Sequence, residues 1–167
     1  NRADRLKLLQ DSLDILCETD MDILMDHLLN APKERRPAYV VIDSIQTLVS
    51  SEVGAVPGTP NQLKMAGHRL TTWAKSADVP VFLIAHVTKE GMIAGPKVIE
   101  HLVDTVLYFD HSSTDLRSLR ASKSRMGSVD EVGLFRMGAD GLNPIADPAG
   151  LFLEHRKDAP PVGSAVA

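Results

Sequence analysis

Three apolar runs in this sequence close on polar residues, and chemistry could gather at those closures. Tyr39-Val40-Val41-Ile42 ends in Asp43 with Ser44 behind it, Val81-Phe82-Leu83-Ile84-Ala85 ends in His86, and a later strand-like run leads into Lys123-Ser124-Arg125-Met126-Gly127. In open parallel sheets, ligands collect at the carboxyl ends of the strands. A carboxylate at such a tip can hold magnesium through oxygen or water, the form of a Walker B element, although it can equally cap the turn that follows. An imidazole at a second tip would lie where a side chain senses a terminal phosphate; a lone strand-end histidine can also be purely structural. Lys123 and Arg125 would point the same way if a strand ran through both. Two such cations can stabilise the charge that develops in phosphoryl transfer, in their own subunit or a neighbour's, or can simply be soluble surface. After His86, Thr88, Lys89, Glu90, Gly91 and Gly95 form a loop able to move, with one lysine that could meet a phosphodiester or merely face water.

These residues need elements to hold them. Met21, Leu24, Met25 and Leu28 recur at three- and four-residue spacing, which predicts a helix over 20–30 capped by Thr19 or Asp20. Pro32 and Pro37 bar a helix through the linker APKERRP, and AYVVID after it predicts a parallel strand buried on both faces. Ser50 to Pro60 predicts a long surface loop, Asn61 to Ser76 a helix through Leu63, Ala66, Leu70 and Trp73, and VPVFLIAH a second buried strand. A strand over Leu13 to Cys17, a short helix from Pro96 to His101, a third apolar strand over Asp104 to Phe109, and a hairpin of Leu116 to Ser122 with Val129 to Met137 complete the expectation. Together these give an α/β fold, mostly parallel with an antiparallel hairpin at one edge.

Composition narrows the classes. With 167 residues, 44% apolar and 24% charged, the chain fits one globular core and disfavours disorder and coiled coil. A net charge of -4 argues against holding nucleic acid by overall charge, so DNA contact would be a local patch. The single cysteine, Cys17, excludes an internal disulfide and a cysteine zinc site and fits a reducing cytoplasm. No apolar run approaches the roughly 18–20 residues of a membrane helix. The six histidines show no HExxH spacing, no nucleophile elbow is present, and no GxxxxGK[ST] loop occurs. The chain opens on Asn1 inside a charged amphipathic pattern, and from this a fragment is expected.

VVIDSIQT, then FLIAHVTKEG, then IAGPKVIEHLVDTVLYF, then KSRMGS and DGL, taken in order and spacing, resemble the RadA/Sms family from about Asn1 to Leu153. The resemblance implies a RecA-like P-loop NTPase core, incomplete because the Walker A part and the water-activating glutamate would lie upstream. It implies a partial core over 1–156, with 157–167 as linker and the start of a missing Lon-protease-like domain. It further implies a DNA-dependent ATPase that uses ATP and Mg2+, assembles as a homo-oligomeric ring, expected to be a hexamer, and processes single-stranded and branched DNA in cytoplasmic repair and recombination, including branch migration. RecA is a candidate partner. On that pattern Asp43 and Ser44 would serve nucleotide and magnesium, His86 would sense phosphate, and Lys123 and Arg125 would act across a subunit interface, Lys123 also touching nucleotide. Ser50–Pro60 and Thr88–Pro96 would face DNA, with Thr88, Lys89 and Lys97 as contacts. The family's KNRFG stands here as KSRMG, with Ser124 and Met126 replacing Asn and Phe, and Met126 is a softer filler than an aromatic ring.

A competing reading is a non-catalytic DNA- or partner-binding module without a Walker A loop. A reading frame running upstream into GxxxxGK[ST] would separate the two. A replicative helicase or KaiC-like ATPase is disfavoured by the HVTKEG and KSRMG wording.

Overall fold

A computed structural model describes residues 11–54, 56–86, 96–111 and 115–147. The described residues divide into two compact units, one within Ser12–Thr105 and one from Val106 to Asp147.

In the first unit the apolar spacing does what its period requires. Helix α1, Met21–Leu29, buries Met21, Leu24, Met25 and Leu28, and its first turn is closed by Asp20, whose carboxylate accepts from the N–H groups of Asp22 at 2.7 Å and Ile23 at 3.2 Å. The linker carries a single 3-10 turn, Lys33–Arg35, and delivers strand β1, Val40–Asp43. β1 pairs in parallel with β2, Val81–Ile84, in the register Val40↔Val81 to Asp43↔Ile84. Between them in sequence runs helix α2, Pro60–Ala77, with Pro60 at its start and Asp78 in the left-handed conformation (φ 54°) at its end. Leu63, Ala66, Leu70 and Trp73 of α2 join the α1 residues, Ile42, Ile45 and Leu48 in one core. A Cβ on Gly67 would lie 3.1 Å from Leu102 and 3.2 Å from Ile99, so glycine here permits the turn at 96–102 to close on the helix.

Several expectations change. β1 and β2 are covered on one face only: Ile42 is 8% exposed, whereas Val41 is 51% and Phe82 55% exposed, and the rings of Tyr39 and Phe82 meet edge to face at 6.3 Å. Among the described residues both helices serve the Val40–Ile42 side, and nothing covers the other. Leu13 to Cys17 is not a strand; Ile15 is 80% exposed, and the segment's backbone pairing begins only beyond it, at an isolated bridge of Asp20 with Val49. No described strand lies beside it to complete a ladder. The helix expected from Pro96 to His101 is a 3-10 turn, Pro96–Val98, followed by irregular turns.

The second unit is a four-stranded sheet in the order β3 (Thr105–His111), β4 (Leu116–Ser124), β5 (Val132–Gly138), β6 (Gly141–Pro144). β4 and β5 are antiparallel from Leu116↔Arg136 to Arg120↔Val132, and β5 and β6 form a tight hairpin closed at Gly138↔Gly141, where Gly141 has φ 117°. Asn143 donates to Asp140 across that turn and holds its carboxyl below the usual carboxylate range. The hairpin of β4 with β5 stands as expected, while β6 is additional and β3, expected beside the parallel strands, joins the antiparallel sheet. Arg120 fastens β3 to β4: its guanidinium donates to Asp110 at 3.2 Å and lies over the Tyr108 ring at 5.1 Å.

Candidate functional site

The parallel register puts two polar tips side by side. Asp43 is the last residue of β1 opposite Ile84, and His86 lies two residues past the end of β2, with its Nε2 3.7 Å from an Asp43 carboxylate oxygen. Both side chains are about two-thirds exposed (68% and 66%), so their mutual attraction is heavily screened and contributes little to folding. The groups are instead presented to whatever enters from solvent.

What fixes the tips is a residue that strand periodicity does not mark. Chain reversal after β1 runs through Ser44 and a 3-10 turn, Ile45–Thr47, pinned by fully buried Ile45, by Leu48, and by the Thr47 hydroxyl donating to the Ser44 carbonyl at 2.8 Å. The Asp43–Ser44 peptide is cis. From this turn the Gln46 carboxamide reaches His86, donating to its carbonyl at 2.8 Å and accepting from its N–H at 3.3 Å. Ser44 is itself buried (6% exposed) and belongs to the turn's anchorage.

The segment expected as a first loop is braced at its base. A 3-10 turn covers Ser51–Val53, and Pro60 already belongs to α2. Gln62 on α2, 2% exposed, accepts from the Ser50 N–H at 2.9 Å and donates to the Ser50 carbonyl at 3.0 Å and to that of Gly54. Ser51 donates to Asp22, which also pairs with Arg69; the Arg69 hydrogen bond is the main reason the Asp22 carboxyl sits below the usual carboxylate range. Beyond this base Val56 and Pro57 are exposed.

Of the other expected residues, Lys97 is exposed on the turn after Pro96, and Thr88 and Lys89 lie outside the described residues. Lys123 is half-buried near the end of β4, past the last β4–β5 pair, whereas Arg125 is exposed in the bend beyond the strand. The strand that was to align the two cations therefore stops at Ser124, whose hydroxyl instead accepts the Met126 N–H at 3.2 Å. Met126 is 87% exposed.

No group of three or more His, Cys, Asp or Glu that could hold a metal is found among the described residues. A single exposed carboxylate still fits magnesium, which keeps several waters and is bound through one or two carboxylates plus phosphate oxygens. No helix among those residues is long and apolar enough to cross a membrane.

A parallel strand pair backed by helices, with a carboxylate closing one strand, is an α/β arrangement consistent with a RecA-like core. Solved structures agree: a KaiC-like protein of Pyrococcus horikoshii superposes with a TM-score of 0.55 at 17% identity, covering 75% of this chain and 56% of that one. The RadB recombinase superposes with a TM-score of 0.50 at 16% identity, covering 75% and 59%. No family model matches. DNA repair protein RadA of Treponema pallidum is 49% identical over 164 residues, 98% of this chain and 35% of that protein. The RadA proteins of Bacillus subtilis (44% over 156 residues) and Pseudomonas aeruginosa (41% over 166 residues) match comparably. The chain belongs to the RadA/Sms family and spans about a third of the length of the curated relatives it matches.

Proposed function

We propose that these residues form the nucleotide-facing and DNA-facing part of an ATP-driven DNA-repair and recombination motor. The observation that carries this reading is the pairing of Asp43 with His86, 3.7 Å apart at adjacent parallel strand tips and open to solvent. The relatives are named as DNA repair proteins, and one structural neighbour is a recombinase.

Asp43 would hold Mg2+ through water, and the bound ion would neutralise charge on ATP phosphate oxygens. His86 donates a hydrogen bond towards the terminal phosphate and registers its loss. The sequence carries no GxxxxGK[ST] cradle, so the activity belongs to a protein that supplies one alongside these residues. Lys123 and Arg125 stabilise developing charge on a neighbouring subunit's nucleotide in a homo-oligomeric ring, expected to have about six members by family resemblance, like the RecA-type motors of phosphoryl transfer. Thr88, Lys89 and Lys97 meet single-stranded or branched DNA, with RecA as a candidate partner in a cytoplasmic setting.

In a RadA-family protein carrying these residues and a phosphate-binding loop, Asp43→Ala should abolish DNA-stimulated ATP hydrolysis without shifting the melting temperature. Mixing Lys123→Ala subunits with subunits dead in the phosphate-binding loop should restore part of the activity, since an intact loop then meets an intact lysine. Normal turnover by Asp43→Ala sinks the nucleotide site. Normal turnover by Lys123→Ala sinks the trans-acting lysine.

A further inference from the structure

The β1–β2 ladder ends at Asp43↔Ile84, yet the His86 backbone beyond it is still held. The Gln46 carboxamide supplies both a donor for the His86 carbonyl (2.8 Å) and an acceptor for its N–H (3.3 Å), so a side chain stands in for one further rung of the ladder. We infer that Gln46 is a positioning residue that fixes the distance between the Asp43 and His86 tips and couples their movements, which rests on the nucleotide reading of those two residues.

The turn that carries Gln46 is rigid, because Ile45 (0% exposed) and Leu48 (3%) are embedded in the core on either side and Thr47 is bonded back to Ser44. His86 in turn opens the segment that follows β2. A displacement of His86 must therefore break two hydrogen bonds or drag the Ser44–Thr47 turn, and with it Asp43. Both bonds are solvent-exposed, so they add little to global stability while still fixing local geometry. That separation of effects makes the inference testable.

The variants are Gln46→Met, which keeps length and volume without donor or acceptor, and Gln46→Glu, which keeps only the acceptor. They are made in a RadA-family protein carrying these residues and a phosphate-binding loop, beside Asp43→Ala. In Gln46→Met, kcat for ATP should fall on the order of tenfold with KM within about twofold, as for an interaction that orders the reacting groups rather than holding substrate. Gln46→Glu should lie between Gln46→Met and the parent. Amide exchange at His86 should accelerate while Ile42 and Phe82, whose N–H groups lie inside the β1–β2 ladder, stay protected. Asp43→Ala turning over normally would remove the nucleotide reading itself. If Asp43→Ala is dead but Gln46→Met keeps the parental kcat, the coupling role alone is overturned. A kcat loss that only tracks a lowered melting temperature would likewise overturn it, by making Gln46 a folding residue.

Discussion

Replacing Gln62 with leucine tests whether the base of the 50–59 segment is held as described. Ser50 is 1% exposed, and both its backbone N–H (2.9 Å) and its carbonyl (3.0 Å) are satisfied by the Gln62 carboxamide. Leucine of similar size removes the partner of both and admits no water. An orphaned buried donor or acceptor costs about 1–3 kcal/mol, so the two together cost on the order of 4 kcal/mol. The Gly54 carbonyl, on an exposed residue, can turn to water and adds little. Burying the extra apolar surface of leucine returns about 1 kcal/mol. The net destabilisation of about 3 kcal/mol should lower the melting temperature by on the order of 10 °C in a unit of roughly 100 residues. Ser50→Ala is the control: it leaves the backbone pair intact and deletes only the hydroxyl that accepts the Glu52 N–H at 3.4 Å, a long bond worth under about 1 kcal/mol. Differential scanning calorimetry reads both variants, and limited proteolysis should cut Gln62→Leu between Ser51 and Gly58 first. If Gln62→Leu melts within about 2 °C of the parent, or if Ser50→Ala costs as much, the two-bond account of the loop base is wrong.

The chain by itself should hydrolyse ATP no faster than background, because a magnesium carboxylate without a phosphate cradle cannot hold the nucleotide; steady turnover lost in Asp43→Ala would contradict this. Its binding to labelled single-stranded DNA should be weak and fall with added salt, since a chain of net charge -4 offers only local cations, and tight binding indifferent to salt would reveal a stacking surface instead. The Asp22 carboxyl is held below its ordinary value of 3.8, chiefly by the Arg69 hydrogen bond. Its contribution to stability is therefore complete above that value and disappears as pH falls through the lower folded-state value. Arg69→Met should flatten that acid limb of the unfolding curve, and an unchanged limb would show that the pair is not linked to folding.

The elements most legible in the sequence were those whose period is set by a single buried face. Met21, Leu24, Met25 and Leu28 declared α1, and Leu63, Ala66, Leu70 and Trp73 declared α2, because helical spacing and burial coincide there. Leu13 to Cys17 misled for the converse reason: an apolar run becomes a strand only where a neighbour supplies the ladder, and Ile15 stands exposed without one among the described residues. The same dependence on neighbours moved β3. An apolar run does not state its partner, and the pairing that Arg120 helps fasten through Asp110 and Tyr108 is a tertiary outcome.

For the site, the division follows the chemistry of side chains. Asp43 and His86 could be read because a polar residue closing an apolar run violates the run's own pattern, and adjacent parallel strands then bring such violations together. Lys123 and Arg125 were spaced for a common direction only on the assumption that the strand continued, and β4 ends between them. Gln46 and Gln62 gave no signal at all. A glutamine in a sequence defaults to solvated surface, and nothing in its type announces that its amide will meet a backbone 40 residues away, as Gln46 does at His86, or 12 away, as Gln62 does at Ser50. Yet a carboxamide carries its donor and its acceptor on separate, adjacent atoms, as a peptide group does, so it can satisfy a backbone N–H and C=O together, and glutamine reaches further than asparagine. Where a parallel ladder stops short of a loop that must be held, a glutamine in the turn after the neighbouring strand is thus a chemically suited bridge, and Gln46 in the turn after Asp43 occupies that position.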